Sequence, residues 1–189
     1  MKLHLSHSQF CLLDKNPKEY VKRYIFGETF SNAGMDFGKR FAEAIEKDEP
    51  TGDPIIDFGL IFMPRYDFQE FEIKIDGLLG YLDGYSESGI CGEYKTGKTE
   101  WSQKKVDEAS QITFYTLLVF KKYGIIPEAE LHHLSPEMEI TSFHTERTKK
   151  DLENLEKRIE KAQKLKLELH SAYEIGEDLL NIKKKSITI

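Results

Sequence analysis

The apolar positions of this chain change their spacing in blocks. Over residues 6–26 they recur at helical intervals with a restart at Pro17, where "PKEYVKRYI" puts proline at the first helical position and its missing N–H costs nothing. Residues 35–47, "MDFGKRFAEAIEK", place Phe37, Phe41, Ala44 and Ile45 on one side and predict a second helix. After the turn-rich "DEPTGDP", strand-like runs are predicted at about 55–62, 68–75 and 78–86, with a fourth at 90–96 following "SESG". Helix resumes at about 103–122, and "EAELHHL" and "EITSF" fit two short strands. A long charged helix runs from near Thr148 to about residue 172. It carries Leu152, Leu155, Ile159, Ala162 and Leu169 at coiled-coil-like spacing, and Thr148 with Asp151 reads as a capping box. The pattern shows no repeat and no low-complexity linker. It predicts one domain over 1–189, with a helical N-terminal part at about 5–48 and the long helix at its C-terminal end.

Composition and charge narrow the function classes. The 189 residues, 39% hydrophobic, can bury a real core. Cys11 and Cys91 allow at most one disulfide and sit in no C-x-x-C arrangement, so a reduced, cytoplasmic protein is expected. "MKLHLSHSQF" is too polar for a signal peptide, and no apolar run reaches the ~20 residues needed to span a bilayer, so no membrane partner is expected. The net charge of −6 runs against the basic signature of a nucleic-acid binder. Yet bases cluster locally, at Lys15, Lys18, Lys22 and Arg23, at Lys95, Lys98, Lys104 and Lys105, and at Arg147, Lys149 and Lys150, so a basic groove is compatible with an acidic whole.

The stretch "GEYKTGK", residues 92–98, sets Glu93 and Lys95 in a segment that otherwise reads as a buried strand. If "YSESGIC" forms a hairpin with a three-residue loop at Glu87, Ser88 and Gly89, glycine falls on the left-handed position such loops prefer. That register makes Asp83 and Glu93 cross-strand neighbours and points Lys95 to the same face, while Tyr94 offers that face only its backbone carbonyl. Two opposed carboxylates repel unless a hard cation lies between them, and magnesium accepts one or two carboxylates while keeping water. This is a pattern for phosphodiester hydrolysis. The same three residues also make an ordinary solvated, salt-bridged sheet face, and on their own they leave both readings open.

The order "GYLDGY", "GEYKTGK", "QITFY" closely resembles the PD-(D/E)XK nuclease superfamily, in particular its RecB-like branch, which includes CRISPR-associated and many phage exonucleases. Asp83 matches the family's first acidic motif, Glu93 and Lys95 its (D/E)xK motif, and Gln111 with Tyr115 its Q-x-x-x-Y helix. The opening "LSHSQFCLLDKNPKEYVKRYIFG" is similar to the branch's N-terminal helical signature. The resemblance covers most of residues 5–160. It implies an α/β, restriction-endonuclease-like fold with a central mixed β-sheet flanked by helices, and a deoxyribonuclease dependent on Mg2+ or Mn2+. In that assignment Asp83, Glu93 and the Tyr94 carbonyl hold the metal and Lys95 positions the attacking water. Gln111 and Tyr115 contact DNA at the cleft rim. Apart from the resemblance, Lys98, Trp101 and Lys104 lie where they can form a stacking and phosphate-contacting edge for single strands, and a partly buried anchor is the equal alternative for Trp101.

Two departures from the family pattern bear on this. The branch carries G-x-x-x-H on its second helix, and here Gly38 is followed at that spacing by Ala42. Glu43, adjacent to it, is the first candidate for the missing ligand and Glu46, one turn on, the second. Several relatives hold an iron–sulfur cluster on four cysteines, which two cannot provide, and the adjacent His132 and His133 face opposite ways on a strand and make no zinc set. The expected activity is exonucleolytic cleavage of DNA, on single strands or duplex ends, in replication, recombination or repair, with a phage setting as the family's habit. The alternative is a nuclease-fold DNA-binding protein with weak or no turnover.

Overall fold

In the computed structural model of the chain, which describes residues 4–186 with side chains through Gly176, the expected α/β architecture is present. The element order is α1 (His7–Lys15), α2 (Pro17–Tyr20) continuing as a π-helical turn (Val21–Ile25), α3 (Ala33–Lys47), α4 (Pro54–Phe62), β1 (Phe68–Ile75), β2 (Leu78–Tyr85), β3 (Ile90–Thr96), α5 (Gln103–Asp107), α6 (Ser110–Tyr123), β4 (Glu128–Leu134), β5 (Ile140–Thr145) and α7 (Lys149–Ser186). Contacts group these residues into two compact units, one built on Ser31–Leu155 and one on Leu5–Phe30 with the chain from Glu156 onward.

The first unit contains a five-stranded mixed sheet in the order β1-β2-β3-β4-β5, in which only β3 and β4 are parallel. A parallel pair needs a crossover, and α5 and α6 supply it. The β1–β2 turn is the dipeptide Asp76–Gly77, both at positive φ, which pins Ile75 against Leu78. The face bearing Tyr94 and Leu134 is covered by α3 and α4, whose Phe41, Ala44, Ile45 and Ile56 form a core with them. The opposite face is packed by α6, where Leu118 and Tyr115 close so tightly on Gly80 that a Cβ there would stand 2.5 Å from Leu118.

Three elements differ from the sequence reading, the first being α7, which continues to Ser186 instead of ending at about residue 172. The apolar run at 55–62 is the helix α4, not a strand. Asp53 caps it with Pro54 at the first position, and the Asp57 carboxylate accepts from the N–H groups of Thr51 and Gly52, so local capping outweighs the β-propensity of "IIDFGLIF". The expected single helix at 103–122 is two, broken at Glu108–Ala109. The guanidinium of Arg147 donates to the carbonyls of Val106 and Ala109 and to Thr113 Oγ1, satisfying the end of α5 from about 40 residues away. At α7 the expected box is formed, with Thr148 N–H donating to Asp151 Oδ2 at 2.8 Å and Asp151 N–H to Thr148 Oγ1 at 3.3 Å.

In the second unit, Ser6 and Gln9 form a reciprocal cap on α1, and Asn16 caps α2. Here α7 contributes Arg158, paired with Asp14 at 2.7 Å, His170, bonded to the Tyr20 hydroxyl at 3.1 Å, and Lys166, which donates to Gln9 Oε1 at 2.8 Å. Lys166 continues the apolar line of Ile159 and Ala162 and is only 4% exposed, and burial pushes its ammonium down to about 8. The unfolded chain holds that proton to about 10.4. Between those values the unfolded state binds more protons, so stability rises with pH across the window, and below about 8 the cost of burying the charge is fully present. Lys166→Met is expected to flatten that rise and to stabilise the chain at pH 7 by about 2 kcal/mol, read from urea titrations of both proteins at pH 7 and pH 10.

Neither Cys11 nor Cys91 forms a disulfide, and no helix among the described residues is long and apolar enough to cross a membrane.

Candidate active site

The β2–β3 hairpin has the register read from its sequence. Gly84 opposes Gly92 and Tyr85 opposes Cys91, and Gly89 closes the loop at φ 86°. One step further the ladder ends, just where Asp83 and Glu93 follow. Asp83 Oδ2 accepts from the backbone N–H of Tyr94 at 2.7 Å, so a carboxylate replaces the missing strand partner and the strands part. A cavity of about 520 Å³ opens there, lined by Gly38 and Ala42 of α3, by Asp83, Glu93 and Lys95, and by Gln111 of α6.

Glu93 is 2% exposed. Its Oε1 accepts from the Lys95 ammonium, and its Oε2 is buried with no hydrogen-bond partner in the protein. Burial and then the neighbouring Asp83 push its carboxyl up to about 8, against the pull of Lys95. Burial also raises Asp83, partly offset by the Tyr94 N–H and by Lys95. For Lys95, burial acts to lower the ammonium, but Glu93 and Asp83 outweigh it and hold it above its ordinary value, so this lysine is a fixed cation. It also donates to Gln111 Oε1 at 3.0 Å, and Gln111 Nε2 donates to the Tyr115 hydroxyl at 3.1 Å. The Q-x-x-x-Y pair is therefore brought to the site, with a different geometry from the one expected. Tyr115 is 9% exposed beneath Gly80, and it acts on the cavity through Gln111 rather than from a rim.

Glu43 and Glu46 separate cleanly. On α3 the line Gly38, Ala42, Glu46 follows the helical repeat, and Glu46 acts electrostatically on Glu70 beside Asp83. Glu43 lies one residue off that line, 3.9 Å from Lys39, and lines a different surface pocket with Arg40 and Lys47. Lys98 and Trp101 line a neighbouring cavity, and Lys104 is exposed, 3.9 Å from Glu108. The Tyr94 ring points away, its hydroxyl donating to the Pro64 carbonyl at 2.6 Å, which leaves its backbone to the cavity. His132 and His133 do diverge, His132 towards Ser142 and Tyr66 and His133 towards the Gly97 carbonyl.

Glu70 is the residue the sequence reading missed. It sits at φ 47°, a left-handed conformation costly for a residue with a Cβ, between the registered pairs Gln69–Gly84 and Phe71–Leu82, and so across from Asp83. Burial, then Asp83 and Glu46, push its carboxyl up to about 7. The Asp76–Gly77 turn was the available signal, because counting outward from it sets Glu70 opposite Asp83. Glu70→Gly is expected to raise the stability of the metal-free protein by about 1 kcal/mol by relieving both strain and like-charge repulsion. A lower melting temperature for this variant than for the unmodified chain in EDTA would contradict that.

The donor set suits a hard divalent cation. It is all oxygen, it includes the unpartnered Glu93 Oε2, and Lys95 limits the net charge. Among the described residues no three His, Cys, Asp or Glu side chains gather closely enough to enclose an ion, so an ion here would rest on one or two carboxylates and water, as magnesium accepts.

No protein-family model and no curated protein matches this sequence. Solved structures do match in fold. A candidate exonuclease from Eubacterium rectale superposes with a TM-score of 0.58 at 12% identity, covering 92% of this chain and 82% of that one. The alkaline exonuclease LHK-Exo from Laribacter hongkongensis gives 0.56 at 14% identity over 99% of this chain and 95% of its own, and its complex with dAMP gives 0.56 at 15% over the same shares. This chain has the fold those exonucleases have.

Proposed function

We propose that this chain is a metal-dependent deoxyribonuclease, an exonuclease of the PD-(D/E)XK type with RecB-like motif order, working with Mg2+ or Mn2+ and without an iron–sulfur cluster. The observation that carries the reading is Glu93, a buried carboxylate with one unpartnered oxygen, set beside Asp83 and a fixed lysine at a break in the sheet. A buried charge so placed is costly to the fold and is kept most readily where it binds something. The fold shared with the exonucleases supports the choice of chemistry.

In this mechanism Asp83 and Glu93 would hold the cation, with the Tyr94 carbonyl as third donor, while Glu70, backed by Glu46, takes the place of Glu43 as an acid that adds negative charge beside them rather than as a third ligand. The cation, when bound, lowers the pKa of water and offsets charge on the phosphate oxygens. Lys95, held between Glu93 and Gln111, orients the attacking water and donates to the phosphorane-like oxygens as their charge grows. Gln111 fixes the lysine, and Tyr115 fixes Gln111. Asp83 keeps its second role of holding β3 through the Tyr94 N–H, so the metal face and the strand are built by one residue. The DNA it cleaves belongs to replication, recombination or repair in the cytoplasm of a cell, a phage-infected one included.

The test is cleavage of end-labelled linear and closed circular single-stranded DNA with magnesium, manganese or EDTA. Metal-dependent release of nucleotides from the linear strand with the circle intact is the expected result. Binding of DNA by the folded protein with no cutting in either metal would replace this reading by that of a DNA-binding protein on a nuclease fold.

A further inference from the structure

Just past β3 the first unit holds another cavity, of about 590 Å³, whose lining includes Lys98, Trp101, His133, Glu137 and Glu139. Both cavities lie at the carboxyl ends of the parallel strands β3 and β4, the position where ligands collect in open α/β sheets. Thr96 lines the first and Lys98 the second, so a single residue, Gly97, lies between them along the chain. The divide between them is held by two hydrogen bonds. Gly97, at φ 121°, donates its N–H to the Leu134 carbonyl at 3.1 Å, and its own carbonyl accepts from His133 Nε2 at 2.8 Å.

The lining has an unusual chemistry for a surface beside a nuclease centre. Trp101, half-buried, offers an aromatic face, and Glu137 and Glu139 offer carboxylates from a turn held by Ser135, whose Oγ accepts from both of their N–H groups. Carboxylates only accept hydrogen bonds and repel phosphate, so they suit the edge of a base that carries an amino group. The volume is that of a pocket for a ligand of nucleotide size.

We propose that this cavity is a base subsite: it takes the unpaired nucleobase next to the scissile phosphodiester, stacked on Trp101, and its carboxylates favour adenine, cytosine or guanine over thymine. The identity of the ligand rests on the nuclease reading of the neighbouring cavity. Lys98, which lines this cavity two positions past Thr96, meets the phosphate that joins the two.

Trp101 is the only tryptophan of the chain, so its fluorescence reports on this cavity alone. The experiment titrates the full chain, in EDTA, with each of the four deoxynucleoside 5′-monophosphates, whose phosphates are identical. Saturable quenching is expected, with dAMP, dCMP and dGMP binding at least about fivefold more tightly than dTMP, in line with the energy of one good hydrogen-bonded base contact. The double variant Glu137→Gln, Glu139→Gln is expected to bring the four within about twofold of each other while leaving dTMP unchanged. Absence of saturable quenching, or four equal affinities in the unmodified protein, overturns the subsite. A preference that survives the double variant overturns the role given to the carboxylates. Because the titration needs no metal and no turnover, quenching with the expected preference in a protein that cleaves nothing would leave a base-binding cavity but overturn its place beside a scissile phosphodiester together with the nuclease reading, and cleavage without quenching would overturn the subsite alone.

Discussion

Lys95→Ala is expected to lower metal-dependent DNA cleavage by about 10³-fold while the protein stays folded and still binds DNA. The size follows from removing a preorganised cation from where charge grows in the transition state, a change that costs 10²–10³-fold in comparable sites. A second loss adds to it. Lys95 is the neighbour that holds Glu93 down, and without it burial and Asp83 act on that carboxylate unopposed, so the anion that binds metal is itself disfavoured. Lys95→Arg is not expected to rescue, since the planar guanidinium cannot occupy the point between Glu93 and Gln111 that the ammonium fills. The companion variant Glu93→Gln should be equally inactive, because an amide offers a cation no negative oxygen in place of the carboxylate. Single-turnover cleavage and calorimetric metal binding, measured on both variants beside thermal unfolding, separate these effects. Unchanged turnover in Lys95→Ala would remove the lysine from the mechanism.

How much of this was legible in the sequence depended on how local the determinants were. The β2–β3 register followed from Gly89 and the alternation on either side, and Asp83 and Glu93 do meet the same cavity. The bounds of β1, β3 and β4 are those of the predicted runs at 68–75, 90–96 and "EAELHHL". What alternation does not contain is the end of the ladder at Gly84–Gly92, because a side-chain acceptor, Asp83 Oδ2, takes the place of a strand carbonyl. The break between α5 and α6 is set by Arg147, far along the chain, and no glycine or proline marks it. At 55–62 the cap residues were present in the sequence, but a short apolar run fits strand and helix equally until its capping is weighed. The choice between Glu43 and Glu46 was a matter of helical phase, and the structure places Glu46 on the line of Gly38 and Ala42.

Gly92→Ala is expected to be among the most damaging single-methyl changes in the first unit, costing about 3 kcal/mol and most of the activity. Gly84 and Gly92 oppose each other across β2 and β3, and the ring of Tyr66 lies on both. A Cβ at Gly92 would fall 2.2 Å from Tyr66 Cε2, and one at Gly84 2.1 Å from Tyr66 Cδ2, distances no packed carbon tolerates. The ring is not free to swing away. Its hydroxyl is 2.7 Å from both Glu130 Oε2 and His132 Nε2, and His132 is held in turn by Ser142 at 2.8 Å. Either the ring moves and leaves buried polar groups unsatisfied, or β3 moves and carries Glu93 with it. Thermal unfolding of Gly92→Ala in two backgrounds decides whether the collision is the cause. With Tyr66→Ala the obstacle is gone, and the same methyl should then cost under about 1 kcal/mol, a coupling that touching residues show and distant ones do not. An equal cost in both backgrounds would mean that Gly92 is needed for its backbone rather than for the space above it, and that Tyr66 does not set the position of the strand that carries the site.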